Sequence, residues 1–143
     1  MKTTITLEQI PDFVTTNLMP LLKTKRIFTL TGPLGAGKTT LTKEFLRQCG
    51  ITKTVTSPTF SYVNTYTNVQ GCTFYHFDLY RLGSVDDFIT MGFDEYLNQP
   101  NSFCLIEWPE VIAPLLKSFS DQISAIKLMH NPEDQSKRSI TLD

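Results

Sequence analysis

An α/β fold with a central mixed sheet flanked by helices is the class this sequence predicts, on three observations. Residues 26–50 read as a buried strand, a glycine-rich loop and an amphipathic helix in immediate succession. The run "SFCLIE" is apolar without alternation until its final acid, as in a strand covered on both faces. Two aromatic and β-branched runs, "FSYVNTYT" and "CTFYHFDLY", enclose "NVQG" and read as an antiparallel hairpin, which makes the sheet mixed rather than all-parallel.

The bulk properties agree with one compact unit spanning residues 1–143. The chain is 41% hydrophobic and 19% charged, enough to build a core and too apolar for disorder. The net charge of −1 lacks the basic excess of a domain that grips nucleic acid by its backbone. Cys49, Cys72 and Cys104 are scattered and odd in number, which argues against a disulfide framework or a zinc site and suits a reducing cytoplasm. No signal peptide and no membrane-spanning apolar stretch is visible, so a cytoplasmic protein without membrane attachment is expected.

Residues 12–24 carry Phe13, Val14, Asn17, Leu18, Leu21 and Leu22 at mostly helical spacing. Pro11 and Asp12 make a plausible start, and Pro20 is expected to kink or end the helix. "RIFTLTG" is the strand entering the glycine loop. In "KTTLTKEFLRQCG", Leu41, Phe45, Leu46 and Cys49 share one helical face and Gly50 ends it. After the hairpin, residues 84–96 suggest one or two short helices broken near Gly92. Residues 109–118 suggest another, and "QISAIKLM" and "RSITLD" suggest closing strands around the turn-prone "HNPEDQ".

The chemistry is concentrated in "GPLGAGKT", residues 32–39, where three of the chain's seven glycines fall in eight positions. The spacing Gly32-x4-Gly37-Lys38-Thr39 is that of a phosphate-cradling loop, and strand and helix flank it as that loop requires. Glycines let backbone N–H groups face the phosphates, and the following helix offers its positive end. On this pattern the domain is P-loop NTPase-like, with Gly35, Ala36, Gly37, Lys38, Thr39 and Thr40 contacting the nucleotide. Lys38 reaches the β- and γ-phosphates, and Thr39 places its hydroxyl on Mg²⁺. Mg²⁺ also needs carboxylates, and two acids stand at strand ends, Asp78 after "FYHF" and Glu107 after "FCLI". Either can complete the site; each alone also reads as an ordinary helix-capping acid.

Ser57 and Thr59 in "SPTF" can bond oxygen ligands around a loop stiffened by Pro58, and could sense a γ-phosphate, though a plain turn is the default. His76, between aromatics, reads as a satisfied or half-buried strand histidine rather than a ligand. His130 carries no readable signal. Trp108, the only tryptophan, is core or else a cover for the site or a partner surface. No Asn-Lys-x-Asp guanine-reading element occurs, which disfavours a GTPase. The length leaves little room for the lid and acceptor pocket of a small-molecule kinase. A nucleotide-gated binding module, with turnover incidental, is the alternative of a different class.

In order, "GPLGAGKTTLTKEFL", "SPTFSYVNTY", "YHFDLYRL", "MGFDEYL" and "LIEWPE" resemble the TsaE (YjeE) family, over about Ile27 to Glu110. These are small bacterial P-loop ATPases required for threonylcarbamoyladenosine modification of tRNA. The resemblance implies ATP and Mg²⁺ as cofactors, Lys38 as the phosphate-binding lysine, Thr39 as a metal ligand and Glu107 as the second. It places Thr40, Asp78 and Trp108 at positions important for activity, and Ser57, Pro58 and Thr59 in a switch-like loop. It further implies TsaD and TsaB as partners, tRNA only indirectly, and slow ATP hydrolysis that resets the TsaB–TsaD transfer complex between turnovers. No arginine finger stands out, Arg81 being a guess. Departures are Pro33 where an acid is common, Asn64 where many relatives carry glutamate, and a loosely matching last third. The base-holding residues stay open there, with the N-terminus and Arg138 as places to look.

Overall fold

The computed structural model describes residues 1–143. Seven strands form one sheet: β1 (Lys2–Thr6), β2 (Ile27–Thr31), β3 (Val63–Thr67), β4 (Thr73–Asp78), β5 (Ser102–Glu107), β6 (Ile123–His130) and β7 (Lys137–Leu142). They lie side by side as β1-β7-β6-β2-β5-β4-β3. The four central strands, β6, β2, β5 and β4, run parallel. Antiparallel pairs close both sides, β3 on β4 and β7 with β1 beyond β6. The sheet is therefore mixed, as the hairpin and the continuous apolar strand predict.

β5 shows why its sequence does not alternate. Phe103 and Leu105 enter the larger core cluster on one face, while Cys104 and Ile106 enter the smaller cluster on the other. All six residues of the strand are buried. The larger cluster lies beneath α1 (Ile10–Phe13), its helical continuation to Lys23, and α2 (Lys38–Gln48). The smaller lies beneath α3 (Val85–Thr90), a 3-10 turn at Phe93–Asn98, and the helical segments around α4 (Ala113–Leu116). Ser84 caps α3 by accepting from the Asp87 amide at 3.2 Å, and the break before the next turn falls at Gly92 as expected.

α2 buries Leu41, Phe45 and Leu46, the stripe its spacing predicts. Phe45 meets Phe28 of β2 edge to face, with ring centroids 5.0 Å apart. The helix ends where Gly50 N–H reaches Arg47 O at 3.1 Å and Ile51 N–H reaches Leu46 O at 3.1 Å.

Two elements differ from the sequence expectation. The N-terminal helix begins earlier, with a 3-10 turn at Leu7–Gln9, and changes pitch along its length: an α turn, a π turn at Val14–Leu18, then a 3-10 turn at Met19–Lys23. Pro20 explains the change, because it offers no N–H to the preceding turn and its ring crowds the carbonyl four residues back. β1 was not expected at all. Its "KTTIT" brings a single buried apolar residue, Ile5, and its pairing with β7 supplies the rest of its reason to be extended.

Phe28 has no exposed surface and joins β2 to α2, the two elements on either side of the glycine loop. Phe28→Ala is expected to lower unfolding free energy by about 3–5 kcal/mol, measured by urea denaturation.

Candidate functional site

The glycine loop leaves the carboxyl end of β2 and runs into α2, so it sits where ligand sites form in parallel α/β sheets. Two of its glycines are required sterically. At Gly32, with φ +145°, an added Cβ would run into the carbonyl oxygen of Leu128 on β6. Gly37 takes φ +103° at the N-cap of α2, a left-handed conformation that side chains disfavour. Lys38 then opens the helix and is 5% exposed. Its Nζ donates to the carbonyl oxygens of Gly32 at 2.5 Å and Pro33 at 3.0 Å, and stands 4.3 Å from the centre of the Trp108 ring. Burial holds the Lys38 ammonium below its ordinary pKa, against the pull of Glu107, Asp78 and Glu110.

The two strand-end acids meet here. Asp78 closes β4, Glu107 closes β5, and they are register partners in adjacent parallel strands. Glu107 is 2% exposed. Thr39 Oγ1 donates to both of its oxygens, at 3.1 and 3.2 Å, and lies 3.3 Å from Ser57 Oγ. Asp78 Oδ1 accepts the Tyr80 amide at 3.1 Å, folding the chain back at the strand end. Burial pushes the Asp78 carboxyl up from its ordinary range, and neighbouring Glu107 adds to that, against the Tyr80 amide, His76 and Lys38.

Trp108 follows Glu107 in the left-handed region, φ 59° and ψ 51°, uncommon for a bulky residue. That turn lets the chain leave β5 and start the short helix at Pro109 while the indole lies over Lys38 and against Tyr80, with ring centroids 4.9 Å apart. Gly35, Gly37, Lys38, Thr39, Thr40, Ser57, Asp78, Glu107 and Trp108 thus line one cleft of about 310 Å³.

The remaining expected residues lie beside it. Ala36 is fully buried and lines the neighbouring cavity. Thr59 donates to Ser57 O at 3.3 Å, away from the cleft wall. Arg81 lies over the Phe60 ring, 6.0 Å from its centre. The neighbouring cavity, about 380 Å³, shares Gly35, Gly37 and Thr40 with the cleft. Its far walls are Ile5, Ile10, Leu128 and Ile140, with Arg138 at one side. The Arg138 guanidinium is tied to the carbonyls of Gln135 and Lys137, and its Nε is buried without a partner.

The sequence places His76 as a satisfied or half-buried strand histidine but does not show its contact with Glu107. His76 has no exposed surface, and its Nε2 lies 2.6 Å from Glu107 Oε2. The available signal was parity: positions 76 and 78 of one strand share a face, so a histidine two residues before a candidate acid faces the same side.

Asp78 yields a signed expectation. Its raised folded-state pKa means the ionised form is the costly one in the fold, so stability is lost as pH rises from the unfolded aspartate range through the folded value. Asp78→Asn is expected to raise Tm at pH 7, and the gain is expected to vanish in acid, where the wild-type carboxyl is already neutral. Matched thermal melts at the two pH values check both.

A family model described as threonylcarbamoyl adenosine biosynthesis protein TsaE matches residues 6–140. The chain is similar to a tRNA threonylcarbamoyladenosine biosynthesis protein TsaE of Haemophilus influenzae, 49% identical over 81 residues, covering 57% of this chain and 50% of that protein. A protein of the same description from Bacillus subtilis is 44% identical over 86 residues, covering 60% of this chain and 52% of that one. The chain spans about half the length of the curated relatives it matches. Among solved structures it resembles the crystal structure of Bacillus subtilis YdiB, with TM-score 0.67 and 28% identity over 99% of this chain and 83% of that one. With strand order, glycine loop and the paired strand-end acids in place, the family match over nearly the whole length leads to one conclusion: this chain belongs to the TsaE family.

Proposed function

We propose that the chain binds ATP with Mg²⁺ at the loop from Gly32 to Thr40 and hydrolyses it slowly, in support of threonylcarbamoyladenosine modification of tRNA. The observation that carries this reading is the meeting of Lys38, Thr39, Asp78 and Glu107 at the carboxyl ends of three adjacent parallel strands, beside a helix N-terminus. Such a terminus and its glycine loop favour bound phosphate.

The donor set fits Mg²⁺. Thr39 and Glu107 offer oxygen atoms only, and no group of three or more His, Cys, Asp or Glu forms a complete metal cage. Mg²⁺ is ordinarily held by one or two protein oxygens together with phosphates and water. When bound, it supplies neutralisation of the charge on the transferring phosphoryl group. Lys38 adds a second positive charge there: its Nζ now rests on the carbonyls of Gly32 and Pro33, which give it no negative partner, and phosphate is a stronger one. Asp78, at the cleft wall with a carboxyl shifted toward proton acceptance, orients the attacking water. The adjoining apolar cavity, walled by Ile5, Ile10, Leu128 and Ile140, receives the base.

Arg81, the candidate arginine finger, lies over the Phe60 ring and does not line the cleft, and the Arg138 guanidinium is tied to backbone carbonyls, including Gly35 O of the loop at 3.5 Å. That supports slow turnover alone and completion by partners, which we take to be TsaD and TsaB. Apolar side chains near the cleft support docking there: Leu34 is 64% exposed, Phe60 84% and Tyr80 53%. The net charge of −1 supports indirect rather than direct engagement of tRNA.

Lys38→Ala is expected to reduce ATP turnover by roughly 100- to 1000-fold, with circular dichroism unchanged. Wild-type phosphate release from that variant would reject the site. Competition binding is expected to favour ATP over GTP. In tRNA modification reconstituted with TsaB and TsaD, omitting this protein is expected to stop the reaction after about one cycle, whereas sustained cycling without it would reject the role.

A further inference from the structure

His76 is a fully buried imidazole that the reading above leaves unused. It sits on β4 two residues before Asp78 and on the same face of the sheet, and reaches diagonally across to Glu107 at the end of β5. Its Nε2 lies 2.6 Å from Glu107 Oε2, and its Nδ1 is buried with no hydrogen-bond partner. Of the two neutral tautomers, the one with the proton on Nε2 lets the imidazole donate to Glu107 and leaves only a lone pair without a partner at Nδ1. The opposite tautomer would bury an unpaired N–H, the costlier orphan. The 2.6 Å separation is that of a short charge-assisted bond.

The two groups holding Glu107 are not equivalent. Thr39 lines the cleft, and its hydroxyl also touches Ser57, so its bond to Glu107 is open to exchange when a ligand enters. His76 lies behind the carboxylate with no exposed surface, where no ligand competes. Oε2 is therefore anchored from the sheet side by His76, while the Thr39 hydroxyl spans both oxygens from the cleft side, at 3.1 Å to Oε1 and 3.2 Å to Oε2.

We propose that His76 is the positioning residue of the site: its Nε2–H fixes Glu107 through Oε2 and so holds the carboxylate in place against Thr39 and the cleft. Outer-sphere partners of this kind set the orientation and basicity of a metal-binding group. The proposal rests on the assignment of Glu107 and Thr39 to Mg²⁺ made above, and its test separates the two.

The first measurement needs no nucleotide. Long-range ¹H–¹⁵N correlation spectra of the full chain carry signals from two histidines, and His130→Gln leaves only His76. The proton is expected on Nε2; a proton on Nδ1 overturns the proposal. The second compares ATP affinity with and without Mg²⁺ in wild type, His76→Leu and His76→Gln. Leucine keeps bulk without a donor, and glutamine places an amide N–H near the position of Nε2. His76→Leu is expected to lose roughly 10–100-fold of the Mg²⁺-dependent gain in affinity and to keep its Mg²⁺-free affinity. His76→Gln is expected to retain most of the gain, and His76→Leu is expected to add almost nothing in a Glu107→Gln background. A His76→Leu protein with the wild-type gain, or an equal loss in the Glu107→Gln background, overturns the proposal. Should the leucine variant fail to fold, the tautomer measurement and the glutamine variant still decide. A wild type whose ATP affinity ignores Mg²⁺ overturns the metal assignment and the positioning role with it, and leaves the hydrogen bond to the tautomer measurement.

Discussion

A carboxylate 2% exposed at the last position of a central strand is the constraint around which this site is built. Burying Glu107 is costly unless its oxygens are bonded. No lysine or arginine forms an ion pair with it. A threonine hydroxyl from the start of α2 and an imidazole from β4 hold it instead. Both contacts depend on topology. β2 must lie beside β5 so that the glycine loop delivers Thr39, and β4 must lie on the other side of β5 in parallel so that position 76 reaches position 107. The strand order thus does more than enclose a core: it brings three carboxyl ends to one place.

Tension is stored around that carboxylate. Trp108 adopts a left-handed backbone, Lys38 is buried against carbonyl groups and an indole face, and Asp78 is held toward its neutral form. Each is costly in the protein as it stands. Clustered strain and shifted ionisation are the marks of a site organised for a ligand rather than for stability. Membership of the TsaE family is consistent with that economy, since the same few residues that carry the family resemblance carry the strain.

Much of this was legible in the sequence because the chemistry fixes the spacing. Gly32, Gly37 and Lys38 must stand at set intervals for a loop to wrap phosphate, and an acid ending an unbroken apolar run marks a buried strand pointing at the site. What escaped notice depended on partners far away in the chain. β1 has one inward apolar residue, and its pairing with β7 cannot be read from "KTTIT". The cavity beside the loop was legible only as two places to look, the N-terminus and Arg138; that Ile5 and Ile10 from one end of the chain meet Arg138 and Ile140 from the other is something no local pattern shows. His76 looked like a strand histidine because it is one; its contact with Glu107 emerges only when β5 is laid beside β4 in the observed register. The π turn before Pro20 was half visible, as a predicted kink without its form.

The most direct measurement of the central claim is a crystal structure of the full chain with Mg²⁺ and a non-hydrolysable ATP analogue. The account predicts the triphosphate against the amides of residues 32–40, with Lys38 turned from the carbonyls of Gly32 and Pro33 onto phosphate oxygen. It expects Thr39 and Glu107 to hold the cation, with His76 still bonded to Glu107 Oε2. A nucleotide lying elsewhere on the protein, or a cation bound in this cleft without Glu107, would contradict it.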